Sequence, residues 1–268
     1  MIQLHFVAPQ TPAWQNWRQE VMTELAALTA KGPPYAVKDA LYKKQRESIF
    51  ACYWNKCVYC EGYYRLTAKE GDVEHYRPKG RIRDNSKKIV RVDVGGKKQN
   101  HPGYWWLAYE PANLLPACAY CNRTGKLDFF PLEPGSDYAL SPGEEAQEKP
   151  TLVHPGIDNP DEHLKFDPSL GVLAPLTTRG EKTIETFDLN RETLLEARLG
   201  AYHKVAMSIH QTALLEPGLG VSLPATLGYL HKHKIGEAAY SIAGRRAIED
   251  FREPMLKLID RMKELLGG

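Results

Sequence analysis

No apolar run in this 268-residue chain approaches the ~18 residues that a membrane span needs, which excludes a helical membrane protein. The opening MIQLHFVAPQTP lacks a positively charged start leading into a continuous apolar stretch, so no secretory leader is visible and a cytoplasmic location is expected. Low-complexity tracts are missing too. With 43% hydrophobic and 25% charged residues the chain is neither collagen-like nor disordered, and its length suits one large domain or two small ones. Cysteine is scarce: the chain has five, an odd number that argues against a disulfide framework in a reducing compartment.

Four of those cysteines pair by spacing. Cys57 and Cys60 form CVYC, Cys118 and Cys121 form CAYC, and 57 residues separate the pairs. Each CxxC turn aims two thiolates at one point, and two such knuckles supply the tetrahedral sulfur set of a structural zinc ion. A redox CxxC would come as one pair in a βαβ setting, which is not visible here. Cys52 lies in an apolar helical stretch and reads as a small buried hydrophobe.

Charge is unevenly spread. The net charge is only +2, yet Arg77 to Lys98 holds nine Lys/Arg against Asp84 and Asp93, so the remainder is about −5. A confined basic block suits a polyanion, although a solvated loop would look the same.

The order of elements reads as follows. Thr11 and Pro12 start a helix with Trp14, Trp17, Val21, Leu25 and Leu28 at helical spacing, and Gly32-Pro33-Pro34 ends it. A second helix is expected over about 35–54. Short β-prone pieces follow at 62–66, 73–76 and 89–94, with Gly95-Gly96 as a turn. Residues 133–168 are proline-rich and hold nine acidic residues against two basic. Helical patterns return at about 191–215 and from about 236. There Ile248, Phe251, Met255, Leu258, Met262 and Leu265 form an apolar seam, interrupted by Pro254. The expected division is a helical region 1–51, a core 52–132, an acidic wrap 133–190 and a helical region 191–268.

Inside the zinc frame stand Glu74-His75, Asn113 and Asn122. Phosphodiester hydrolysis needs a base for water, a cation on the phosphate, and a group orienting the base. A neutral imidazole at His75 suits the first role. Glu74 and Asn122 offer hard oxygens for Mg²⁺ or Mn²⁺, and the Asn113 amide can fix the imidazole. Neighbours in a strand face opposite sides, so Glu74 and His75 share one phosphate only where the strand ends or bends. Arg77, Lys79, Arg123 and Lys126 are candidate phosphate contacts. His101, His154, Asp158 and His163 read as structural, and Trp105 and Trp106 as core rather than base-stacking residues.

The order CVYC, VEHYRPK, NLLPACAYCNRTGK resembles the HNH nucleases of the ββα-metal fold. The resemblance implies His75 as general base, Glu74 and Asn122 as ligands of the catalytic cation, and Asn113 as the orienting asparagine. Beyond the core, HPGYWWLAYEPANLLPACAYCN, HPGIDNPDEHLKFDPSLGVL and TIETFDLNRETLLEARL are similar to the PtuB-like HNH proteins of Septu and retron-associated antiphage systems. That resemblance implies an SMC-like or ABC-type, PtuA-like ATPase as partner. The expected fold is therefore α+β: a zinc-stapled ββα-metal core with helical N- and C-terminal regions. The expected function is a metal-dependent endonuclease acting on nucleic acid, DNA before RNA. An RNA-cleaving effector on the same core, or a noncatalytic zinc module that binds nucleic acid, stays open.

Overall fold

The computed structural model describes residues 1–4, 6–63, 71–214 and 223–265; the side chains at 213, 214, 223, 258, 259 and 261–265 lie outside that description. Helix α1 spans Pro12–Lys31. The Thr11 hydroxyl accepts the Trp14 amide at 3.2 Å, Pro12 occupies the first turn, and Gly32 at φ 70° ends the helix. Trp14, Trp17, Val21 and Leu28 face the core.

The single helix expected over 35–54 is instead two short ones, α2 at Asp39–Lys43 and α3 at Arg46–Cys52. The reason is angular. Leu41-Tyr42 and Ile49-Phe50 all bury, but eight residues of straight helix turn them about 80° out of phase. A break at Lys44-Gln45 brings both pairs to one core.

Strand β1 (Asp72–His75) is followed by β2 (Arg91–Val94) and β3 (Lys97–Asn100), an exposed hairpin closed by Gly95-Gly96 with φ of 62° and 79°. Lys87, Lys88, Arg91, Lys97 and Lys98 of the basic block are exposed on or beside it. Strand β4 (Leu114–Ala117) returns to pair antiparallel with β1, setting Glu74 opposite Leu115 and His75 opposite Leu114. A π-helical turn, Tyr120–Lys126, follows directly. The acidic wrap carries one further hairpin, β5 (Leu164–Asp167) with β6 (Val172–Pro175). The candidate strand at 62–66 lies almost wholly outside the described residues.

Helices α4 (Thr178–Phe187), α5 (Glu192–Leu214), α6 (Leu223–Lys234), α7 (Ser241–Asp250) and α8 (Arg252–Leu265) complete the fold. The chain breaks at Phe251, so Pro254 falls in the first turn of α8, where its missing amide costs nothing. The architecture is thus helices with small two-stranded sheets. One apolar core runs from Met1 to Ala243 through α1, β1 and β4. A second joins Val205, Ile209, Leu230 and Ala247, with Ile248, Phe251 and Met255 packed on it. The near half of the apolar seam therefore covers the chain's own helices; the side chains of Leu258, Met262 and Leu265 lie outside the described residues.

Two glycines let the segment after β1 approach its support. Gly103 has φ 81°, and a Cβ there would sit on the backbone of Gly80. The neighbouring Tyr104 amide donates to the Pro78 carbonyl at 2.8 Å. Gly103→Ala combines backbone strain with overlap and is expected to cost about 2–4 kcal/mol. Denaturant unfolding measures it; an unchanged midpoint would contradict this packing.

Candidate active site

The first knuckle follows α3 and hangs on the sheet, because the Val58 amide donates to the Pro116 carbonyl of β4 at 3.0 Å. The second knuckle begins one residue after β4 ends. Register alone thus brings the pairs together. All four sulfurs lie within 4.8 Å of one another, and Cys60 and Cys118 are 3.9 Å apart. Thiolates on a tetrahedral zinc at about 2.3 Å stand about 3.8 Å apart, so the cluster has the right size for zinc. It is the cluster of this kind among the described residues. Arg191, stacked 4.3 Å over Tyr120, is drawn toward its charged form by the cysteines beside it, against the opposing effect of burial. Cys52 stands apart, half-buried, donating to the Val7 carbonyl at 3.2 Å.

Between β1, the π-helical turn and α2 opens a cleft of about 590 Å³, walled by Tyr42, Glu74, His75, Lys79, Asn122 and Asp128. Strand β1 ends at His75, which is how two sequence neighbours reach one cavity. His75 is buried, its ring edge-on to Tyr42 at 4.7 Å. Nε2 lies 2.9 Å from the Ala108 carbonyl and therefore carries the proton, leaving Nδ1 as the basic nitrogen. Burial first, then the Lys79 charge, push its pKa down to about 3, so the ring is neutral at physiological pH.

Glu74 is 4% exposed, and burial raises its pKa. The Lys126 ammonium stands 2.7 Å from its Oε1 as an ion pair. At that distance the ammonium already partners Oε1, although not at an ideal hydrogen-bond angle. A buried carboxylate could hold a hard cation beside this lysine, with the Asn122 amide as the second protein oxygen and water or phosphate filling the other positions. Asn122 donates through Nδ2 to Asp72 Oδ2 at 3.0 Å, so its Oδ1 stays uncommitted to that contact. Asp72 is held in turn by Arg123 through two 2.7 Å bonds. Sequence reading missed Asp72, although it lies two residues before Glu74 on the same strand, the spacing that puts both on one face.

Several expectations need correction. Asn113 does not touch the imidazole. Its Oδ1 accepts the Arg77 amide at 2.7 Å, and its Nδ2 donates to the carbonyls of Arg77 and Leu107, both at 3.0 Å. It clamps the backbone after His75, and the Ala108 carbonyl orients the ring. Lys126 has no exposed surface and donates to the His75 carbonyl at 2.8 Å, so as arranged it does not reach a phosphate. Arg77 is bound to Glu148 at 2.9 Å and to the Glu145 carbonyl at 3.2 Å. Of the four candidates, Lys79 lies at the cleft, paired with Asp39 at 3.5 Å, and Arg123 is 69% exposed beside it. Glu148 also accepts from Tyr104 and the Ala139 amide, which makes the acidic wrap a fixed part of the core here.

The remaining candidates have structural partners. His101 and His154 bond to the carbonyls of Ala139 and Ala112 at 2.8 and 3.0 Å, His163 to Thr177 at 2.7 Å, and Asp158 to Arg179. Trp105 stacks on Tyr35 at 4.2 Å and Trp106 donates to Glu145.

The geometry defines a protein with a four-cysteine cluster able to hold a metal ion beside an imidazole-carboxylate cleft. Its relatives are Septu proteins. The chain is 37% identical over 169 residues to Septu protein PtuB of Bacillus mycoides (strain KBAB4), a match covering 63% of this chain and 53% of that protein. It is 29% identical over 160 residues to Septu protein PtuA of the same organism, covering 58% of this chain and 20% of that protein. Septu protein PtuB of Bacillus thuringiensis is 23% identical over 233 residues, covering 83% and 69%. The PtuB-like resemblance is thus shown by homology, while the matched region spans about half of the first relative and a fifth of the second. No family model and no solved structure matches. No helix among the described residues is long and apolar enough to cross a membrane.

Metal analysis is expected to find one zinc per chain. Cys118→Ser, which opens the cluster between β4 and the π-helical turn, should lose the zinc and several kcal/mol of stability together. Zinc-free protein with the same unfolding midpoint would refute the structural metal.

Proposed function

We propose that this chain is a metal-dependent endonuclease of the HNH type, hydrolysing phosphodiester bonds, with DNA as the favoured substrate. The observation that carries the reading is the strand end at His75, where an imidazole whose Nδ1 is the basic nitrogen and a buried carboxylate share one cleft with Asn122. A cation held by Glu74 and Asn122 would supply Lewis acidity at the scissile phosphate and charge neutralisation at the leaving oxygen. His75 Nδ1 accepts a proton from the attacking water, whose oxygen forms the new bond to phosphorus as the bond to the 3′ oxygen breaks. The Ala108 carbonyl holds the resulting imidazolium through its Nε2 hydrogen. Lys79 and Arg123 flank the phosphate, and the exposed β2–β3 hairpin tracks the backbone beyond it.

The similarity to Septu proteins PtuB and PtuA supports a role as the nuclease subunit of an antiphage defence system, gated by a PtuA-like ATPase of the SMC or ABC type. Among the described residues no feature reads base sequence in an obvious way, so an ungated nuclease of this kind would damage its host. A second reading, a zinc module that binds nucleic acid without cutting it, draws on Lys126, whose ammonium already balances the Glu74 charge.

Plasmid nicking separates the two. His75→Ala is expected to lower metal-dependent cleavage by about 10²-fold or more with nucleic-acid affinity retained. Glu74→Ala and Asn122→Ala are expected to raise the Mg²⁺ or Mn²⁺ concentration required, and all three should keep their zinc. Undiminished nicking by His75→Ala at matched metal would refute the assignment.

Asp72→Asn tests how Asn122 is oriented. An amide at 72 presents both donor and acceptor, so the Asn122 amide is no longer fixed with Oδ1 free. The half-saturating Mn²⁺ concentration should rise by about three- to tenfold while zinc content stays unchanged. An unshifted Mn²⁺ requirement would remove Asp72 from the site.

A further inference from the structure

A second cavity, of about 360 Å³, lies on the other side of the π-helical turn, against α4. Leu127 and Asp128 line both cavities, so these two residues form the ridge between them. Leu127 is unusual twice over. It is 53% exposed, and its backbone sits at φ 51°, ψ −119°, a conformation that favours glycine. The turn holds it there, since its amide donates to the Asn122 carbonyl at 2.8 Å. A leucine presented in this way, beside the proposed metal ligand, has the shape and polarity of an apolar wedge between stacked bases.

The cavity beyond the ridge suits what such a wedge displaces. Tyr120 and Phe129 line it, Tyr120 with Arg191 stacked on its ring and Phe129 only 9% exposed beneath the Lys182 ammonium, 5.6 Å over its ring. Four cationic residues line it, Arg83, Lys87, Lys126 and Lys182; the Lys126 ammonium is committed to Glu74 and the His75 carbonyl, and Asp128, Glu185 and Asp188 offset the other three. That balance disfavours a bare phosphate and favours a neutral, flat, hydrogen-bonding group. The volume lies at the lower end of ligand-sized pockets, about 300–1,000 Å³, with room for one base.

We infer that Leu127 is a wedge and that this cavity receives one unpaired nucleobase adjoining the phosphate in the cleft. The inference rests on the nuclease reading for the placement of that phosphate. It makes the preferred substrate a nucleic acid with a bulged or extruded nucleotide at the cut, because an already unpaired base spares the cost of unstacking.

The test uses the full zinc-loaded chain carrying His75→Ala, so that binding is read without cleavage, against a duplex and the same duplex with one bulged adenine. The bulged duplex is expected to bind about tenfold tighter. Leu127→Gly, which relieves the backbone while removing the wedge, and Thr186→Trp, which fills the cavity from α4, should each bring the ratio below about threefold. Unchanged unfolding midpoints and zinc content confirm that the variants are folded. Equal affinity for the two duplexes, or no binding of either, overturns the inference. A preference surviving Thr186→Trp overturns the pocket, and one surviving Leu127→Gly overturns the wedge. The nuclease reading fails separately, if the chain with His75 intact, both alone and with a PtuA-like partner, cuts neither duplex with Mn²⁺.

Discussion

A lysine with no exposed surface holds the cleft together. Lys126 closes the π-helical turn, and its ammonium reaches both the carboxylate of Glu74 and the backbone carbonyl of His75. An ammonium buried without partners is prohibitively unfavourable, and removing one partner of a buried pair costs about 3–5 kcal/mol. The turn therefore cannot drift from the end of β1 without exposing or orphaning a charge. Asn122, within that turn, and Leu127, just past its end, inherit their positions from this contact.

The zinc-sized cluster fixes the other end of the same turn. Cys121 lies one residue before Asn122, and Cys118 one residue after β4, so the cluster and the Lys126 contact bracket the strip that carries the amide. A metal held there would be a staple and would contribute no group to the cleft. On the opposite wall Asn113 fixes the backbone after His75 while Ala108 fixes its ring. Three independent restraints thus converge on two adjacent residues, which is the preorganisation that a hydrolytic site requires.

Much of this was legible in the sequence, for reasons that differ by element. The cysteine pairs were readable because CxxC spacing states its own geometry, and the capped start of α1 because Thr-Pro has few other uses. Glu74, His75 and Asn122 were readable as types, and the strand end that unites them was hinted by Pro78. The role of Asn113 was not, because an amide that bonds backbone looks the same in sequence as one that bonds a side chain. Lys126 and Arg77 misled for a physical reason: a cation flanking a proposed centre reads as a phosphate contact unless its buried acid is seen, and Glu74 and Glu148 are distant in sequence. The broken helix at 39–52 escaped because the phase of two apolar pairs was outweighed by their continuity.

The central claim is that Glu74 and Asn122 hold a divalent cation next to a neutral His75. Titrating Mn²⁺ into the zinc-loaded chain, read by the loss of its free electron-spin resonance signal, tests this most directly. The account predicts one bound Mn²⁺ per chain, with binding weakened by about tenfold or more in Glu74→Ala while all zinc is retained. Equal Mn²⁺ binding by the unaltered chain and Glu74→Ala, or none by either, would contradict it.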